Sequence, residues 1–148
     1  MRILVPTLAT LLALCACEAT PENPAATVTD AVVKLPPVPG RPGAAYFTIR
    51  ANRETRLTGI SSPAAQRIEL HESVTRGNMM TMRPIADVPV TLGSSVVFAP
   101  GGKHAMLFDI SPTVQPGGTM RLTLTFDGLP PVSVDARVEG FGAEHADH

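Results

Sequence analysis

Hydrophobic and polar residues alternate with a period of two along much of this 148-residue chain. The clearest runs come late: Met120, Leu122, Leu124 and Phe126 alternate with Arg121, Thr123, Thr125 and Asp127. Val132, Val134, Ala136 and Val138 then alternate with Ser133, Asp135, Arg137 and Glu139. Successive side chains of a strand point to opposite faces, so both runs predict half-buried antiparallel strands. Upstream, "ATVTDAVVKL", "AAYFTIRA", "TRLTGISS", "QRIELHESV", "MMTMRPI", "DVPVTL", "SSVVFA" and "HAMLFDIS" read as further β-rich runs. Turn signals at Arg76–Asn78, Gly93, Pro100–Gly102, Pro116–Gly118 and Gly128–Pro131 separate the later ones. In "PPVPGRPG", residues 36 to 43, four prolines and two glycines forbid helix and central strand and predict a stiff loop. Eight to ten short strands at this spacing, with no βαβ crossover and no confident helix, predict an all-β Greek-key sandwich or a closely related barrel.

Composition narrows this picture without changing it. The chain is 44% hydrophobic and 17% charged, with 15 prolines, 12 glycines and no tryptophan, which is globular and turn-rich. Its formal net charge of −1 comes from interspersed signs, so neither a nucleic-acid-binding face nor a polybasic membrane patch is present. The first 16 residues have one basic residue, Arg2, and an apolar stretch interrupted by Pro6, Thr7 and Thr10, too short to span a bilayer. They read as an export signal. Its end, "LCAC", resembles the lipobox of bacterial lipoproteins, with Leu14 and Ala16 leading to Cys17 as the lipidated residue. Residues 17–26 then form a polar, proline-broken tether, residues 27–140 the folded domain and residues 141–148 a short tail holding His145 and His148. The expected location is the periplasm, anchored by lipid. The alternative is ordinary signal-peptidase cleavage nearby with a soluble product; in either case Cys15 leaves with the signal, and with Cys17 lipidated the domain has no thiolate for zinc, iron–sulfur or blue-copper centres, nor as a nucleophile.

Against that background the methionines are conspicuous. Of the five beyond Met1, four (Met79, Met80, Met82 and Met106) fall within 28 residues, together with His104 and close after His71. His104 and Met106 are two apart and share a strand face, as do Met80 and Met82. Imidazole nitrogen with thioether sulfur is a soft ligand set that favours Cu(I) over zinc, and strongly over magnesium or calcium. For Met79 and Met80, packing is the expected role, with capture of the metal or support of its ligands as the alternative. Met120, in phase with Leu122 and Leu124, belongs to the core. The two tail histidines read as solvated residues, with an auxiliary Cu(II) site as the alternative. Arg76, Arg83 and Lys103 lie near the proposed site as docking charges or as ordinary surface charge.

His71, ten residues, Met82, twenty-one residues and then His104-x-Met106 resembles the signature of the periplasmic copper chaperone family called PCu(A)C. With this chain's composition the pattern arises by chance on the order of once in ten thousand sequences. The likeness continues through "VVKLPPVPGRPGAAYFTI" and "PGGKHAMLFDI" and covers roughly residues 27 to 140. One departure is Glu72, where many family members carry a second methionine after the first histidine.

The resemblance implies a cupredoxin-like Greek-key β-sandwich whose His71, Met82, His104 and Met106 bind Cu(I) at an exposed rim site. It further implies a monomer that delivers copper to the binuclear copper site of cytochrome c oxidase, directly or with a thiol-bearing partner chaperone. An enzyme is not expected: there is no G-x-S-x-G, no H-E-x-x-H and no convincing acidic pair. A blue-copper electron carrier lacks its cysteine. Copper scavenging or detoxification, and a metal-free adhesion or assembly module, remain as alternatives.

Overall fold

The computed structural model describes residues 24–142. The export signal, Cys17, the tether as far as residue 23 and the tail histidines lie outside the described residues. Ten strands follow one another: β1 (Ala26–Lys34), β2 (Gly43–Ala51), β3 (Thr55–Ser61), β4 (Ala65–Arg76), β5 (Met79–Pro84), β6 (Val88–Val90), β7 (Ser95–Phe98), β8 (Lys103–Ile110), β9 (Thr119–Phe126) and β10 (Leu129–Glu139). Each falls on one of the alternating or β-rich runs, and the proline-dense 36–43 segment links β1 to β2 until pairing resumes at Gly43.

The strands form one mixed sheet in the order β5-β4-β8-β7-β2-β1-β10-β9-β3-β6. β2 pairs with β8 through Gly43–Ala45 and with β7 through Phe47–Arg50. β1 and β10 run parallel and join the first half of the order to the second. Both halves supply a single core, in which Phe47 stacks on Phe98 at 4.4 Å and Leu57, Leu107, Leu122 and Leu124 are fully buried. Met120 packs among them, where its phase in β9 put it. The fold is all-β and cupredoxin-like, as the patterning and the resemblance implied.

One strand departs from this economy. β5 contributes nothing to the core, all six of its residues being exposed, and it pairs only with β4 at the edge of the sheet. The β4–β5 hairpin is closed by Gly77 and Asn78, with Arg76 opposite Met79. Gly77 has φ +62°, and a Cβ there would meet nothing within 4 Å, so other residues are disfavoured there by backbone conformation and not by space. Gly77→Ala is expected to lower unfolding stability by about 1–2 kcal/mol. Urea titration checks this, as a lower midpoint at unchanged slope.

Candidate functional site

The site is built on the outward face of β4, β5 and β8. Residues directly opposite one another in a ladder share a face, so register decides which side chains can meet. On β4 and β8, His71 stands opposite His104 and Glu69 opposite Met106. On β4 and β5, Ser73 stands opposite Met82, Thr75 opposite Met80 and His71 opposite Pro84. The four residues singled out by spacing therefore share one face. The alternate residues Leu70, Ala105 and Leu107 point into the core.

The two imidazoles are neighbours, with ring centroids 5.9 Å apart and planes inclined by 33°. A ring nitrogen binds a metal at about 2 Å, which puts the ring centroid about 3 Å from the ion, so two rings can share one ion at this separation. His104 is only 5% exposed and the His71 side chain 12%. This corrects the expectation of a histidine lifted to an exposed rim. β8 begins at Lys103, already opposite Glu72 on β4 and Phe98 on β7, so the next residue lies inside the sheet, with its ring covered.

What lies outside the ligands fixes them. Gly102 N–H donates to the Ala99 carbonyl at 3.0 Å, with Pro100 and Gly101 between them and Gly101 at φ +80°, the pattern of a type II turn. That turn aims the Gly102 carbonyl at the His104 ring, where Nδ1 donates to it at 3.0 Å. The same carbonyl accepts the Ser73 N–H at 3.1 Å. On the partner strand, His71 Nε2 donates to Glu69 Oε2 at 3.0 Å. Arg67 Nε holds the other oxygen, Oε1, at 2.8 Å, and its guanidinium carbon lies 4.1 Å from the Phe108 ring centroid. The His71 hydrogen bond and then the Arg67 charge hold the Glu69 carboxyl below the usual carboxylate range.

Carbonyl and carboxylate oxygens only accept, so each neutral imidazole carries its proton on the nitrogen so held, and its lone pair on the other. Those others are His71 Nδ1 and His104 Nε2. Among the described residues they are the two buried side-chain polar atoms without a hydrogen-bond partner. An orphaned buried lone pair is costly unless something occupies it, and two on adjacent rings fit a shared cation. Also among the described residues, no three histidine, cysteine or carboxylate groups gather as a metal-holding cluster. A four-ligand site therefore needs the thioethers, Met106 partly buried on β8 and Met82 61% exposed on β5.

Other residues fall where the sequence reading did not put them. Met79 and Met80 are 69% and 63% exposed, so packing is not their role; an edge strand outside the core offers nothing to pack against. Glu72 sits on the face opposite the site and bonds Arg83 at 3.0 Å and Lys103 at 3.3 Å, away from the histidines. Glu69 and Gly102 were missed, although Glu69 lies two residues before His71, the spacing at which strand neighbours share a face. A cavity of about 890 Å³ lies toward the other end of β4 and β8, bordered by Pro36, Arg41, Pro63, Asp109 and Val114, and no histidine or methionine lines it.

With that geometry in place, similarity to known proteins is informative. The family described as "Putative lipoprotein LpqE-like" matches residues 26–138. "Putative lipoprotein Lxx21020" from Leifsonia xyli is 34% identical over 84 residues, 55% of this chain and 51% of that protein. The chain thus spans about half the length of the curated relatives it matches. Among solved structures, the apo PCuAC domain of PmoF2 aligns with TM-score 0.65 and 25% identity over 82% of this chain and 95% of that one. Its copper-bound form aligns with TM-score 0.65 and 24% identity over 78% and 93%. Cu(I)-bound DR1885 from Deinococcus radiodurans aligns with TM-score 0.60 and 22% identity over 84% and 83%. The chain accordingly belongs to the LpqE-like family, and its described residues have the fold of PCuAC domains.

Proposed function

We propose that this protein is an exported, lipid-anchored Cu(I) chaperone, with His71, Met82, His104 and Met106 as its ligands. The observation that carries the reading is the pair of buried, unpartnered imidazole nitrogens, His71 Nδ1 and His104 Nε2, on a face shared with Met82 and Met106. Copper in the similar PmoF2 and DR1885 structures supports the choice of metal. In the mechanism we infer, the buried histidines grip the ion from below while Met82, on the exposed edge strand, covers it from the solvent side. Thioether and imidazole without thiolate hold Cu(I) less firmly than cysteine does, so the ion passes down a gradient to a cysteine-bearing acceptor by ligand exchange. No electron moves. The acceptor we propose is the binuclear copper centre of cytochrome c oxidase.

Competition with a chromophoric Cu(I) chelator tests the copper reading. The protein is expected to take about one equivalent of Cu(I), and X-ray absorption to show mixed sulfur and nitrogen ligation. Met82→Leu keeps the bulk and loses the sulfur, and is expected to weaken binding about tenfold. A protein that takes no copper from the chelator is not a copper chaperone.

A further inference from the structure

The exposed methionines of β5 are unexplained by the core and only partly explained by the four-ligand site. Three lie 61–69% exposed on a six-residue strand, in a fold that buries Met120 completely enough to leave 2% of it accessible. Alternation divides them. Met80 and Met82 lie on the face of His71, His104 and Met106, while Met79 points to the opposite side.

We propose that Met80 is the entry ligand of this site: it captures Cu(I) from the donor and passes it to Met82. The proposal rests on the copper-binding reading above. Register supplies the path. Pro84 lies opposite His71, Met82 opposite Ser73 and Met80 opposite Thr75, so each methionine lies one two-residue step farther from the histidines toward the hairpin tip. Such a step is about 7 Å, and a methionine side chain with three rotatable bonds can cover much of it. Thioethers carry no charge or proton, so capture needs no deprotonation. In the transfer step the bond from copper to Met80 Sδ breaks as the bond to Met82 Sδ forms. The ion stays Cu(I), and no electron or proton changes place. Capture turns the second binding event into an intramolecular one, whose effective concentration is on the order of millimolar rather than that of free copper.

Met79 is the internal control: the same side chain, one residue away, at least as exposed, on the wrong face. Rapid-mixing uptake of Cu(I) from a chromophoric chelator separates the roles, with the equilibrium affinity measured in the same samples. Met80→Leu is expected to slow uptake about fivefold or more while leaving affinity within about twofold, and Met79→Leu to change neither. With methyl-13C methionine, substoichiometric Cu(I) is expected to broaden the Met80 methyl signal and spare that of Met79. Wild-type rates for Met80→Leu overturn the proposal, as do equal slowing by Met79→Leu and a loss of affinity matching Met82→Leu. A wild-type protein that binds no copper overturns this inference and the chaperone reading together; copper binding with an unaffected Met80→Leu rate overturns this inference alone.

Discussion

Replacing His104 by leucine is expected to weaken Cu(I) binding about 100-fold or more, because partners merely bonded to metal ligands already cost 10- to 100-fold when lost. The substitution suits the test because it separates metal binding from folding. Leucine nearly fills the volume of the imidazole at a position only 5% exposed, so no large cavity opens. The Gly102 carbonyl loses the Nδ1 donor but keeps the Ser73 N–H at 3.1 Å, so no buried acceptor is stranded. The orphaned Nε2 leaves with the ring, which removes a desolvation cost from the metal-free protein. The apo variant is therefore expected to unfold at a urea midpoint at or above that of the wild type, while chelator competition shows the affinity loss. Unchanged affinity would remove His104 from the ligand set.

The sequence carried most of the fold because nearly every strand buries one face, and a half-buried strand writes its orientation as alternation. β9 is legible residue by residue: Met120, Leu122, Leu124 and Phe126 are all buried. β5 is not, since a strand exposed on both faces has no hydrophobic phase, and its Met79 and Met80 read as packing until pairing placed them at an open edge. The shared face of His71, Met82, His104 and Met106 was partly legible. Spacing within a strand relates His104 to Met106, but no spacing rule gives the β4–β8 register that puts His71 opposite His104. Burial of His104 was misread for a related reason. The Pro-Gly-Gly turn looks like a strand end when read along the chain, whereas in space it delivers Lys103 directly between neighbours on both sides. Pro100–Gly101 is a type II turn signature with positive φ at the glycine, but that the turn presents the Gly102 carbonyl to an imidazole is disclosed only in three dimensions.

Glu69→Ala is expected to weaken Cu(I) binding about 10- to 100-fold although Glu69 itself contributes no metal ligand. The carboxylate fixes the His71 ring by accepting from Nε2, which turns Nδ1 and its lone pair toward the site. Without it the ring is free to rotate about its terminal side-chain bond, and part of the population presents the protonated nitrogen to the ion. Two effects are mixed in that variant, the lost hydrogen bond and the lost negative charge beside a cation. Glu69→Gln separates them, because the amide oxygen can accept the same bond from Nε2, while its NH2 takes the place of Oε1 and gives up the Arg67 bond on the side away from the ring. If orientation is what Glu69 supplies, glutamine restores most of the affinity that alanine loses; if charge is what matters, the two variants bind equally weakly. The metal-free protein offers an independent check by imidazole 15N NMR. His71 is expected as the Nε2–H tautomer and His104 as the Nδ1–H tautomer, an opposed pair set by one carboxylate and one backbone carbonyl. Finding both rings protonated on the same nitrogen would contradict the hydrogen bonds on which the site is built, whatever the copper affinity proves to be.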